Sequence, residues 1–193
     1  RHIEAVLGMH PRDLGEKIAR VIENLNPPSL GALWKTRSFW PRMWAARPHR
    51  VLRGLSQQVI EDPDLERFPV LRGWPKDGGR YLTFPLVITE HPETGASNMG
   101  VNRMQVFLRD TTGVQMRIQK GVTLHYREAE RKGEPLELAC VLGADPALML
   151  AAAFPLPEGF EEIAFAGLLR GKPTRVVRAK TIDLAVPADA EIV

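Results

Sequence analysis

At 193 residues, with 44% apolar and 25% charged side chains, the chain has the composition of an ordinary folded protein, with room for one good core and an appendage. Its longest apolar run, ALMLAAAF (147–154), is about a third of a membrane span, and its first residues lack the apolar segment of a secretory leader. The net charge of +3 is uneven, since residues 1–60 hold ten Lys/Arg against four Asp/Glu. The single cysteine, Cys140, excludes an internal disulfide and reads as a small core residue in ELACVLG. A cytoplasmic location without stable membrane insertion fits these features.

Taken in chain order, DLGEKIARVIENL (13–25) sets Leu14, Ile18, Val21, Ile22 and Leu25 on one helical face. Asp13 is the expected N-cap, Glu16 follows three residues later, and NPP (26–28) is the stop. In ALWKTRSFWPRMWAARPHRVLR (33–53) basic residues alternate with tryptophans, as on a nucleic-acid face with Arg on phosphates and Trp on bases. The favoured reading is a helical region from about Leu33 to Ala46, with Pro41 as break or first-turn residue, that packs its Trp side chains. No nucleic-acid module surrounds it.

The character changes near Gln57. After DGG, RYLTFPLVITE (80–90) predicts a strand, HPETGAS turns the chain, and NMGVNRMQVFL returns it. RDTTG turns again and VQMRIQK predicts a third strand, a meander that further strands could close into a barrel. HYREAERKGEP (125–135) predicts a helix capped by Gly133, and ELACVLG a buried strand. Asp145-Pro146 opens a helix over PALMLAAA, EEIAFAGLL (161–169) predicts another, and TRVVRAKTIDLAV is strand-like. The class is α+β, with residues 1–56 a helical segment and 57–193 a β-rich domain.

Familiar sites are missing: no Gly-rich phosphate loop, no metalloprotease histidine spacing and no GxSxG elbow. His125 reads as a surface or capping residue. Arg103 shares strand parity with Val101 and Gln105, while Met104, Val106 and Leu108 point the other way. If the second set fills the core, Arg103 faces the opposite side, either as a clamp for a carboxylate or phosphate or as a solvated sheet residue. Asn98 by itself reads as a turn residue, and Glu162 as a helix-dipole acid.

The ordered combination of DGGRY, N-x-G-x-x-R, LGADPA, AFAGLLRG and VPADAEIV resembles the UbiD family of decarboxylases over about residues 57–193. These include the 3-octaprenyl-4-hydroxybenzoate carboxy-lyases of ubiquinone and menaquinone biosynthesis. The resemblance implies a split β-barrel like that of flavin reductases, and prenylated FMN as cofactor for decarboxylating aromatic or α,β-unsaturated acids. It implies Asn98, Glu162 and Gln119 as ligands of Mn2+, with Gln119 standing where the family usually has histidine, and K+ bound nearby. Val101, Asn102, Arg103, Gln115, Met116, Arg117, Lys120 and Gly121 would contact the cofactor, and Arg103 would also face the substrate carboxylate. It further implies a small-molecule acid substrate, a flavin prenyltransferase as cofactor supplier, a homo-oligomer and no nucleic acid. The family's acidic proton donor falls beyond Val193, so this polypeptide alone is expected to be inactive. The alternative is a non-catalytic flavin-binding or scaffold relative that has lost the metal site.

Overall fold

The structure is a computed structural model that describes residues 2–24, 40–118, 121–156 and 160–193. In chain order the elements are α1 (His2–Leu7), α2 (Pro11–Asn24), α3 (Trp40–Ala45), β1 (His49–Arg50), β2 (Arg80–Leu82), β3 (Leu86–Glu90), β4 (Ser97–Val101), β5 (Met104–Leu108) and β6 (Thr111–Val114). They continue with α4 (Gly121–Lys132), β7 (Ala139–Val141), α5 (Pro146–Ala153), α6 (Glu162–Arg170), β8 (Arg175–Arg178) and β9 (Ala185–Pro187). The chain divides into two compact units, Arg1–Arg50 with Pro146–Arg175, and Val51–Asp145 with Val176–Val193. Among the described residues no helix is long and apolar enough to cross a membrane.

The first unit is helical. Leu7, Leu14, Ala45, Leu148, Ile163 and Leu169 are buried, and small residues let the helices approach closely. At Gly167 a Cβ would collide with the carbonyl of Ala45, whose carbon would lie 3.0 Å away, so only glycine permits this crossing of α3 and α6. Arg42 finishes the helix ends. Its guanidinium donates to the carbonyls of Leu168 (3.2 Å), Leu169 (2.6 Å) and Leu7 (2.9 Å), groups that have no partner within their own helices. α2 starts at Pro11, with its fixed φ at the first helical position, so Asp13 lies in the first turn instead of capping it. Pro41 likewise sits at the start of α3. Trp44 is exposed with Arg47 stacked 4.9 Å from its ring centre, against the expectation of a packed tryptophan. Leu25, the NPP stop and residues 33–39 lie outside the described residues.

The second unit contains two three-stranded antiparallel sheets, ordered β2-β5-β6 and β4-β3-β7. The expected strand over 80–90 is two strands broken at Thr83-Phe84-Pro85, and its return strand breaks at Asn102-Arg103. Leu82 pairs with Met104 below the break and Leu86 with Val101 above it. One hairpin therefore bends and serves both sheets, a device by which strands change sheets at a corner. Proline cannot continue the ladder at Pro85, which accounts for one side of the bend. The mixed α+β class is as expected, although among the described residues the sheets do not close into a barrel.

Parity holds in the lower sheet. Met104 and Val106 are buried with Leu82, Val87 and Val122 in one apolar cluster, and Leu65, Val70, Val114 and Cys140 pack against it. Burial pushes the Cys140 thiol up to about 11, as befits a core residue. Leu108 breaks the pattern because a register shift between Val106 and Leu108 turns it out to solvent. The third strand is Thr111–Val114, mostly within the expected RDTTG turn, and residues 115–118 of the expected strand VQMRIQK are not in it. α4 starts at Gly121, earlier than expected, and Gly133 follows it at φ 71 as the left-handed cap. TRVVRAKTIDLAV is not one strand: β8 and β9 form an antiparallel pair within it.

Candidate cofactor and acid site at the strand corner

Arg103 lies in the break between β4 and β5, and its carbonyl accepts the N–H of Gln115 at 3.0 Å. That bond brings the segment after β6 alongside the corner. Its far end returns to the same strand: at Gly121 an added Cβ would overlap the side-chain oxygen of Asn98 and come within 2.6 Å of its Cγ. The Thr123 hydroxyl donates to the Arg117 carbonyl (2.6 Å), folding the connection onto the start of α4. Asn98, Val101 to Arg103, Gln115 to Arg117 and Gly121 therefore share one edge of the second unit.

The Arg103 guanidinium is held on two sides. Its Nη2 lies 3.0 Å from Asp77 Oδ2, and its Cζ lies 3.6 Å from the centre of the Tyr81 ring. The stack follows from register, because Tyr81 lies opposite Gln105 and Arg103 reaches it diagonally across the pair. The Tyr81 hydroxyl donates to Gln105 Oε1 at 3.0 Å. Arg103 Nε is buried and has no acceptor among the described residues, although the side chain as a whole is 38% exposed. A buried N–H without a partner loses its hydration for nothing in return, while the exposed part of the guanidinium keeps donors that Asp77 does not use.

Asn98 lies in a different environment. Its cross-strand partner is Thr89, whose hydroxyl is 2.9 Å from His125 Nδ1. His125, expected as a surface or capping residue, is buried in the second turn of α4, with the His91 ring packed edge-on at 5.3 Å. Desolvation lowers its pKa, and the neighbouring His91 lowers it further. His91 Nδ1 accepts the backbone N–H groups of Glu93 (3.2 Å) and Thr94 (3.3 Å). Asn102 is buried and turns its amide back to the Gly100 carbonyl at 3.4 Å. Val101 and Met116 are half-buried, and Gln115 and Arg117 are exposed.

Glu162 starts α6 in the first unit, whereas Asn98 and Arg103 belong to the second. Gln119 and Lys120 lie outside the described residues. Among the described residues no group of three His, Cys, Asp or Glu side chains gathers as a metal cluster. Sequence reasoning missed Asp77 and Tyr81. The DGGRY motif carried both, but only the fold of the 71–79 loop and the β2–β5 register bring them to Arg103.

Comparison with known proteins identifies the family of the chain. Residues 50–193 match the family described as the UbiD 3-octaprenyl-4-hydroxybenzoate carboxy-lyase Rift-related domain. A protein of Archaeoglobus fulgidus is 40% identical over 189 residues, covering 94% of this chain and 37% of the relative. The UbiD-class enzyme HmfF from Pelotomaculum thermopropionicum, in complex with FMN, aligns with TM-score 0.70 and 30% identity over 78% of this chain and 36% of that one. An evolved dimeric form of HmfF, in complex with prFMN, gives 0.70 and 29% over 79% and 38%. Vanillic acid decarboxylase of Sedimentibacter hydroxybenzoicus gives 0.72 and 28% over 80% and 36%. The chain thus spans well under half the length of these relatives, and by the extent of its match it belongs to the UbiD family of decarboxylases.

Proposed function

We propose that the chain carries the cofactor-binding part of a prenylated-FMN decarboxylase acting on aromatic or α,β-unsaturated carboxylic acids, 4-hydroxybenzoate-type acids of quinone biosynthesis among them. Residues 57–193 are its split-barrel domain. The observation that carries this reading is Arg103: a guanidinium half open to solvent at a strand corner, with more donors than its one carboxylate partner uses. Its fork binds the acid group of the substrate and fixes the scissile carboxylate beside the ring. Val101, Asn102, Arg103, Gln115, Met116, Arg117, Lys120 and Gly121 hold the cofactor. The prenylated flavin, when bound, supplies the electron sink for loss of CO2.

Asn98, Gln119 and Glu162 offer only oxygen donors, a set whose chemistry suits a hard cation such as Mn2+, with K+ as a second ion. A flavin prenyltransferase supplies the cofactor, and a homo-oligomer is the working form. The supporting relatives act on or bind chemically matching molecules, being an FMN complex, a prFMN complex and a vanillic acid decarboxylase.

The test is reconstitution with prenylated FMN and Mn2+ followed by CO2 release from a panel of aromatic acids, with Arg103→Ala as the control. Turnover is expected from the protein in the context of its relatives' full length, and loss of at least about a hundredfold in Arg103→Ala. Normal turnover by Arg103→Ala refutes the assignment. The 193-residue chain alone is expected to bind flavin without turnover. A second reading, a flavin-binding relative without activity, is favoured by the Asp77 carboxylate already neutralising Arg103. Retained flavin with no CO2 release in the longer context would select it.

A further inference from the structure

We infer that Asp77 is the positioning residue for Arg103, and that the DGGRY turn is a buttress orienting the acid-binding guanidinium. This deepens the reading of Arg103 as the acid clamp and rests on it. A guanidinium on a long side chain has two freedoms that matter to a bidentate ligand: the tilt of its plane and the rotation of its fork within that plane. Tyr81 removes the first, lying 3.6 Å beneath Cζ, and Asp77 removes the second by holding Nη2 at 3.0 Å.

Each restraint is itself anchored. Asp77 Oδ2 also accepts the backbone N–H of Trp74 (3.0 Å), the Asp77 N–H returns to the Trp74 carbonyl (3.0 Å), and the Asp77 carbonyl accepts from Arg72 (2.6 Å). The Tyr81 N–H bonds to the Leu71 carbonyl (3.0 Å), and its hydroxyl is fixed by Gln105. Gly78 and Gly79 pass over the amide of Gln105, where added Cβ atoms would meet Nε2 at 3.4 and 3.1 Å. The loop thus delivers a carboxylate fixed by backbone bonds to one nitrogen of Arg103. An ion pair whose partners are 38% and 19% exposed adds little to folding stability, so its larger consequence is orientation.

The experiment uses the full chain and two substitutions, Asp77→Ala and Asp77→Asn. Asparagine keeps an oxygen that can accept from both Trp74 and Arg103 while removing the charge. Nitrogen-15 spectra should show a resolved, slowly rotating Arg103 guanidinium in the wild type and in Asp77→Asn, and an averaged one in Asp77→Ala. Titrated 4-hydroxybenzoate should bind about tenfold more weakly to Asp77→Ala and within about twofold of wild type to Asp77→Asn. Backbone amide spectra check that both variants fold. An unchanged guanidinium signal and affinity in Asp77→Ala overturns the inference, as does an Asp77→Asn protein as impaired as Asp77→Ala. If Arg103→Ala binds 4-hydroxybenzoate like wild type, the acid-clamp reading fails instead, and the guanidinium spectra still decide whether Asp77 fixes Arg103.

Discussion

Asn98 and Arg103 sit five residues apart on the same bent strand, yet the structure holds them by opposite means. Asn98 is fixed by shape: its side chain fills the space that Gly121 leaves by lacking a Cβ, beside the buried Thr89–His125 pair. Arg103 is fixed by charge and stacking, half open to water, with a buried Nε left unpaired. The difference teaches that one edge can combine a rigid seat with an adjustable one. A tight seat tolerates no added volume, whereas an electrostatic seat tolerates substitution but loses ligand affinity.

That contrast is most sharply broken at Gly121. Gly121→Ala is expected to destabilise the protein by about 1 kcal/mol, because the half-buried Asn98 side chain must turn aside to admit the added Cβ. Thermal denaturation measures it, and adding Asn98→Ala should restore much of the loss, since the clash is with that side chain. Equal stabilities for Gly121→Ala with and without Asn98→Ala would remove the shape argument. By contrast, Arg103→Ala should change stability by less than about 1 kcal/mol, the range of exposed ion pairs.

A pH titration separates the seats next. The folded state holds the His125 pKa below its ordinary value of 6.5, so the unfolded chain binds more protons in that window. Stability is therefore full above about 6.5 and falls as pH drops toward the folded pKa. The melting temperature of the wild type should decline on acidification, and His125→Gln should flatten that part of the profile. An unaltered slope in His125→Gln would contradict the assignment.

A further prediction concerns reactivity: with Cys140 pushed up to about 11, its alkylation at pH 8 should be about a hundredfold slower than that of a free thiol. Rapid labelling without denaturant would show that the cluster around Cys140 is open.

Much of this was legible in the sequence, and its limits have physical causes. The parity of Met104 and Val106 against Arg103 follows from strand geometry alone and held. The α5 start at Pro146 and the left-handed cap at Gly133 were readable because Pro and Gly act locally. The start of α4 was not, since Gly121, Val122 and Thr123 are poor helix formers that become helical by packing. The bend at Thr83-Phe84-Pro85 had a proline as its cue, but its partner break at Asn102-Arg103 had none. The grip of Asp77 on Arg103 spans a loop and two strands, a distance that no local pattern encodes.

The most direct test of the central claim, that Arg103 and the 115–121 segment form one flavin and acid site, is FMN binding followed by quenching of flavin fluorescence. The account predicts saturable binding to the wild type that weakens at least about tenfold in Arg103→Ala while the fold is retained. Equal FMN affinity in the two proteins would contradict it.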